Sequence, residues 1–166
     1  MRDLTVDLLK HLFDYDKETG KLIWKKEISN KVKAGDIAGC KGSRGYCYIT
    51  INKKNYLAHR LVYLMHKGYL PRTLDHINGQ REDNRIENLR PASLSQNAHN
   101  RKINTNNKSG YKGVCFHTKS KKWLAQICHN NKNMSLGFYD TPEKADAVVR
   151  AAREELHGTF ANHGDE

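Results

Sequence analysis

Apolar positions in this chain come in short bursts separated by polar turns, and the spacing inside each burst names the element it predicts. Leu8, Leu9 and Leu12 recur at near-helical spacing. A turn at Asp16-Lys17-Glu18-Thr19-Gly20 leads into a strand over Lys21–Trp24. A second turn at Gly42-Ser43-Arg44-Gly45 precedes a hairpin, with arms Tyr46–Ile51 and Tyr56–Ala58 around Asn52–Asn55. Leu57, Leu61, Leu64 and Met65 return every three to four positions and predict a helix stopped by Gly68 and Pro71. A short apolar run then ends at Asp75-His76, a polar loop comes next, and a second short run falls at Asn88-Leu89. Ser93-Leu94-Ser95-Gln96 fits a capping box and predicts a helix to about Lys102, with Asn97 in its second turn. His99, two residues on, points to another side of that helix. Beyond a polar linker the pattern reads strand, strand, strand, helix. The strands are Tyr111–His117, Trp123–Cys128 and Asn133–Phe138, with turns at 119–121 and 129–132. The last helix starts at Thr141-Pro142, carries Ala145, Val148, Ala152 and Leu156 as its stripe, and stops at Gly158.

The fold class is therefore α+β, in four segments: 1–56, 57–102, a linker at 103–108, and 109–162. Only 37% of the 166 residues are hydrophobic, so several small modules suit the chain better than one large core. The net charge of +11 changes the picture most, because a chain this basic most often meets a polyanion, nucleic acid first. The longest aliphatic or aromatic run, Leu61–Met65, is far short of the ~20 residues of a membrane span, and the opening residues lack the apolar stretch of a signal peptide. Cys40, Cys47, Cys115 and Cys128 form no Cys-x-x-Cys pair and read as reduced thiols of a cytoplasmic protein.

Candidate chemistry gathers between residues 70 and 104. Phosphodiester hydrolysis needs a deprotonated water, charge to steady the transition state, and help for the departing oxygen; a divalent cation can supply the last two. Asp75 offers a carboxylate, Asn97 an amide oxygen, and His76 an imidazole suited to taking a proton from water. An Asp-His pair alone is most often a surface turn, and Asn84 or Asn88 alone a turn residue; the order, the spacing and the capped helix carry weight together. His11, His66, His117, His129, His157 and His163 read from the residues alone as surface or packing residues, and His59 and Arg60 as either support for the site or phosphate contacts.

Asp75-His76-Ile77-Asn78-Gly79, Asp83-Asn84-Arg85, Glu87-Asn88-Leu89-Arg90 and Ser95-Gln96-Asn97 resemble the HNH, or ββα-metal, endonucleases of phage and intron homing type. The preceding His59-Arg60-Leu61-Val62 resembles the helix before their motif, and Tyr15–Trp24 resembles the start of phage members. The resemblance implies a central ββα-metal module in which His76 is general base, Asp75 and Asn97 hold one divalent ion (Mg²⁺, with Mn²⁺ the alternative), and Asn88 braces the loop. Where the family name leads one to expect a third-position His, this chain has Asn97, as homing-type members also do; His99 is the rival ligand.

From 101 to 140 eight Lys or Arg stand against one acid, Asp140. A charge run alone is usually a solvated face. Here, however, Ser109–Val114, Lys122–Ile127, Leu136–Tyr139, Thr141-Pro142-Glu143 and Phe160-Ala161-Asn162 resemble the Apetala/ethylene-response-factor DNA-binding domain. That resemblance implies a three-stranded antiparallel sheet set in a major groove with one helix packed behind. The contacts it implies are Lys112, His117, Lys119, Lys122, Trp123 and Gln126, with Arg60 added from the nuclease module; Trp123 could equally be core. Cys115-Phe116-His117 replaces the family's arginine-rich first strand, so base preference does not carry over.

These readings converge on a metal-dependent, site-directed DNA endonuclease. It would act on double-stranded DNA in the host cytoplasm as a monomer or weak dimer, without a small-molecule cofactor, and leave 5′ phosphate and 3′ hydroxyl ends. The alternatives are a DNA-binding regulator with a dead centre and, on charge alone, an RNA-binding protein.

Overall fold

Thr5 caps the opening helix α1 (Val6–Leu12), its Oγ1 accepting from Leu8 N at 3.2 Å. The computed structural model describes residues 4–130 and 132–164 and divides into two compact units, 1–91 and 92–166. In the first unit β1 (Phe13–Asp16) and β2 (Lys21–Trp24) form a hairpin, with Phe13 opposite Trp24. Its turn presses against the loop of residues 77–88. Gly20 sits there at φ +70°, and a Cβ would collide with the backbone of Asn84 and Arg85. Tyr15 adds a bond to the same loop, its hydroxyl accepting from Ile86 N at 2.9 Å.

The strands β3 (Cys40–Lys41), β4 (Cys47–Ile51) and β5 (Lys54–Leu57) form an antiparallel sheet in chain order. The hairpin turn between β4 and β5 is tighter than the expected Asn52–Asn55. Asn52 and Lys53 alone make it, both at positive φ, and Thr50 Oγ1 bonds Asn55 Oδ1 across the strands at 2.7 Å. Helix α2 (Ala58–Lys67) comes immediately after β5 and ends in left-handed Gly68. Its most buried residues are Leu61, Val62 and Tyr63, while Leu64 and Met65 are only partly covered. The expected stripe is widened because α2 packs against α1, β2, β4 and β5. Residues 1–56 are thus no separate module: Leu9, Phe13, Trp24 and Ile49 pack in the same cluster as Leu61, Leu74 and Leu89. The unit closes with β6 (Leu74–His76) paired antiparallel to β7 (Leu89–Pro91).

The second unit begins with α3 (Leu94–His99), capped by the expected box: Ser93 Oγ accepts from Gln96 N at 3.1 Å, and Gln96 Oε1 accepts from Ser93 N at 2.8 Å. The helix stops at His99 instead of Lys102. The Lys112 ammonium gathers the carbonyls of His99, Arg101 and Asn162 at 2.9, 2.5 and 2.8 Å, and this draws the chain off the helical path. The polar linker is ordered by its own side chains: Asn107 Oδ1 accepts from Gly110 N at 2.8 Å, and Ser109 Oγ donates to Val114 O at 2.8 Å. The three strands are β8 (Val114–His117), β9 (Lys122–His129) and β10 (Lys132–Tyr139), in the order β10-β9-β8 and antiparallel throughout. Of the expected turn 129–132, Asn131 lies outside the described residues.

Behind this sheet packs α4 (Pro142–His157), with Thr141 as N-cap and Gly158 as C-cap. Its buried face is Ala145, Asp146, Val149 and Arg153, rotated from the expected stripe through Val148 and Leu156. Arg153 is tolerated inside because its guanidinium donates to Lys112 O at 2.7 Å and bonds His163 Nδ1 at 3.0 Å. The architecture is α+β, with small sheets in the first unit and a three-stranded antiparallel sheet with one packed helix in the second. Among the described residues no helix is long and apolar enough to cross a membrane.

Candidate active site

The β6–β7 hairpin carries the chemistry. Leu74 and Leu89 anchor it in the core, and all three residues of β6 are buried. Register sets Asp75 opposite Arg90, whose Nε and Nη2 reach Asp75 Oδ2 at 2.9 and 2.8 Å. This fork compensates a carboxylate only 4% exposed. His76, one position on, has different neighbours: the His59 ring edge-on at 4.9 Å, the Tyr46 ring at 6.1 Å, and the Asn84 side chain. With Asn84 Oδ1 as acceptor at 3.1 Å, His76 Nε2 carries the proton and Nδ1 the lone pair.

Burial lowers the basicity of His76 most. Its bond to Asn84 and the charges of Asp75 and Asp83 oppose that effect, while Arg81 adds to it. The net direction is downward, so the ring stays neutral, the form that can accept a proton. His59 is driven further, to about 3, by burial first and then by His76. Two neutral imidazoles therefore pack side by side.

The loop between the strands is held from within. Asn88 Oδ1 accepts from Asn78 N at 3.0 Å, and Asn88 Nδ2 donates to Asn78 Oδ1 at 3.0 Å and to Asp83 O at 2.8 Å. Asp83 accepts from Asn78 Nδ2 at 2.7 Å and from Arg85 Nε and Nη2 at 2.8 and 2.6 Å. The Arg85 bonds, ahead of all else, hold the Asp83 carboxyl down at about 2. Asn84, between Asp83 and Arg85, is thereby presented to His76.

Asn97 and His99 lie on α3 in the second unit. Asn97 is half-buried. The His99 ring stacks on His157 at 3.6 Å and pairs with Ser95 Oγ at 3.2 Å. Among the described residues no three His, Cys, Asp or Glu side chains converge on an ion site. Asp75, a carboxylate, and Asn97, an amide, are each hard oxygen donors of the kind that suits an ion keeping several waters.

Arg60 is committed elsewhere: Nη2 donates to Pro71 O at 3.1 Å and Nη1 to Arg72 O at 3.4 Å, bracing the turn after α2. The expected DNA contacts of the second unit separate into groups. Opposed residues of antiparallel strands share a face. Trp123, paired with Phe116 and packed against the Val114–Ala125 core, is therefore on the helix side. His117, Lys122 and Gln126 alternate with the core positions and share the open face, and Lys119 stands on the turn beside it. Lys122 pairs with exposed Asp140 at 3.3 Å, a contact weak enough to yield to a phosphate. Lys112, engaged by three carbonyls, braces the loop before the sheet. Sequence reading left Asn84, Tyr46 and Arg81, all neighbours of the His76 site, without a role. Tyr46 reaches His76 only through long-range packing, which gives no local signal; Arg81 sits inside the motif stretch without a residue-type cue.

Residues 56–99 match the HNH endonuclease family, so this hairpin and α3 belong to an HNH nuclease domain, the class that acts on DNA. Over 95 residues the chain is 33% identical to Protein 3.8 of Escherichia phage T7, a stretch covering 57% of this chain and 75% of that protein. The chain belongs to the family of that phage protein, and its own residues 56–99 match the HNH endonuclease family. No solved structure matches the chain significantly.

Proposed function

We propose that the protein is a metal-dependent, homing-type DNA endonuclease in which His76 activates the attacking water. The observation that carries this reading is the buried His76 ring, 5% exposed, whose Nε2 is committed to Asn84 Oδ1 so that the lone pair lies on Nδ1. Nδ1 takes the proton of the water that attacks phosphorus. The P–O3′ bond breaks with its electron pair on O3′, which takes a proton from solvent, leaving 5′ phosphate and 3′ hydroxyl ends. Asn88 acts at one remove, fixing the loop that presents Asn84 to the base. Asp75 and Asn97 are the residues that would hold Mg²⁺ or Mn²⁺, which when bound supplies positive charge for the transition state and the departing oxygen.

The second unit supplies the grip. The open face of its sheet, with His117, Lys119, Lys122 and Gln126, suits a major groove in the manner of the Apetala-type domains, lysines toward phosphates and Gln126 toward base edges. With one centre per chain, a monomer nicks duplex DNA, and cutting both strands takes two events or a dimer. The site of action is the host cytoplasm. The test is incubation with supercoiled duplex DNA, with Mg²⁺, with Mn²⁺ and with EDTA. Conversion to open-circle or linear products that stops with EDTA and leaves 5′ phosphates supports the reading. Tight duplex binding without cleavage in either metal would make the protein a regulator.

A further inference from the structure

Tyr46 and Arg81 form a feature beside His76 that the mechanism above does not use. Tyr46 directly precedes β4, after the Gly42–Gly45 turn, and its ring stands 5.4 Å from His59 and 6.1 Å from His76. On it lies the Arg81 guanidinium, with Cζ 4.9 Å from the ring centre. One nitrogen is tied down, Nη1 donating to Arg44 O at 2.8 Å. Arg81 is exposed, and it borders an open depression lined by Gly45, Gly79, Gln80, Arg81 and Glu82. Glu82, the acid beside it, is paired with Lys41. The cation therefore rests on an aromatic shelf that also flanks the buried base, it borders an open depression, and its neighbouring acid is paired with Lys41.

From this geometry we propose that Arg81, shelved on Tyr46, binds the phosphate that His76-activated water attacks. The proposal rests on the nuclease reading and adds a substrate-binding residue to it. It also gives residues 1–56 a part in the chemistry, because the shelf and the Arg44 carbonyl come from the turn between β3 and β4. A planar guanidinium suits this post better than an ammonium: it can stack on Tyr46, bond Arg44 O and still turn further N–H groups toward phosphate oxygens. Its charge would count for more in the transition state, where negative charge builds on those oxygens.

The experiment compares wild type, Arg81→Gln, Arg81→Lys and Tyr46→Leu in single-turnover cleavage, duplex binding across a salt series, and Trp24 fluorescence. Arg81→Gln should cut roughly 10²-fold more slowly and bind with a log–log salt slope shallower by ~0.9, one phosphate contact, while Trp24 fluorescence is unchanged. Arg81→Lys should restore the salt slope and part of the rate, and Tyr46→Leu should slow cutting with the slope kept. A duplex with a neutral methylphosphonate at the mapped cleavage position should weaken wild type but not Arg81→Gln. A purely structural Arg81 would leave the salt slope and the methylphosphonate response unmoved, and that outcome overturns the proposal. Arg81→Gln cutting at the wild-type rate overturns it while the nuclease reading stands. A wild type inert on every duplex and metal removes both.

Discussion

Replacing Asn88 by Ala removes three hydrogen bonds from the base of the 77–88 loop: one accepted from Asn78 N and two donated, to Asn78 Oδ1 and Asp83 O. A hydrogen bond in a folded protein contributes about 0.5–1.5 kcal/mol net, and a buried partner left unmatched costs about 1–3 kcal/mol. Asn78 and Asp83 are half-buried, so water recovers part of the loss. The expected destabilisation is ~2–4 kcal/mol. Urea unfolding measures it cleanly because the chain has two tryptophans, Trp24 in the first unit's core and Trp123 in the second's. In a Trp123→Phe background, Trp24 alone reports the first unit. With a slope of about 2 kcal/mol/M, the midpoint should fall by roughly 1–2 M. Asn88→Asp keeps the acceptor but sets a carboxylate oxygen against Asp83 O and Asn78 Oδ1, so it should be at least as damaging as Ala. A midpoint unmoved by Asn88→Ala, or an Asn88→Asp protein as stable as wild type, would refute the claim that this amide holds the loop.

Acid should weaken the first unit well before its carboxylates titrate. His59 has a folded value of about 3 against an ordinary 6.5, so below pH 6.5 the unfolded imidazole takes up a proton that the folded one refuses. Stability then falls by about 1.4 kcal/mol per pH unit, or ~2 kcal/mol by pH 5. The same urea titration at pH 7 and pH 5 reads this, and His59→Leu should shrink the difference; a stability flat across that range contradicts it. In the second unit Lys112→Met should lower stability by ~2–3 kcal/mol, from the three carbonyls it leaves unbonded, with the salt slope of DNA binding unchanged. Lys122→Met should do the reverse, sparing stability and flattening the slope by ~0.9. Thermal melts and binding titrations on both variants separate the two roles.

The elements of this fold were legible wherever local rules dominate. The Ser93–Gln96 capping box, the Thr141-Pro142 start and the Gly68 stop each depend on a few adjacent residues. Features set at long range escaped. α3 ends early because of an ammonium thirteen residues on, and α4 turns Arg153 inward because Lys112 O accepts from it. Residues 1–56 looked like a separate segment, since no local pattern shows that Phe13 and Trp24 share a core with Leu61 and Leu74. Around the site, the motif pointed to Asp75, His76, Asn88 and Asn97, and gave Asn84, which bonds His76, no role. It could not show that Tyr46 would flank the base or that Trp123 would turn toward α4, because both depend on packing between distant residues. Lys112 and Lys122 look alike in the chain and differ only in their surroundings.

The central claim is that His76 is the base of a DNA-cutting centre, and the most direct measurement sets cleavage against binding in one pair of proteins. Wild type and His76→Ala are given the same duplex, with cleavage followed in Mg²⁺ under single-turnover conditions and binding followed in EDTA. The account expects His76→Ala to lose about 10²–10⁴-fold in rate, the share of a general base, while binding the duplex as wild type does. Cleavage by His76→Ala within a few-fold of wild type would contradict it and move the base to another residue.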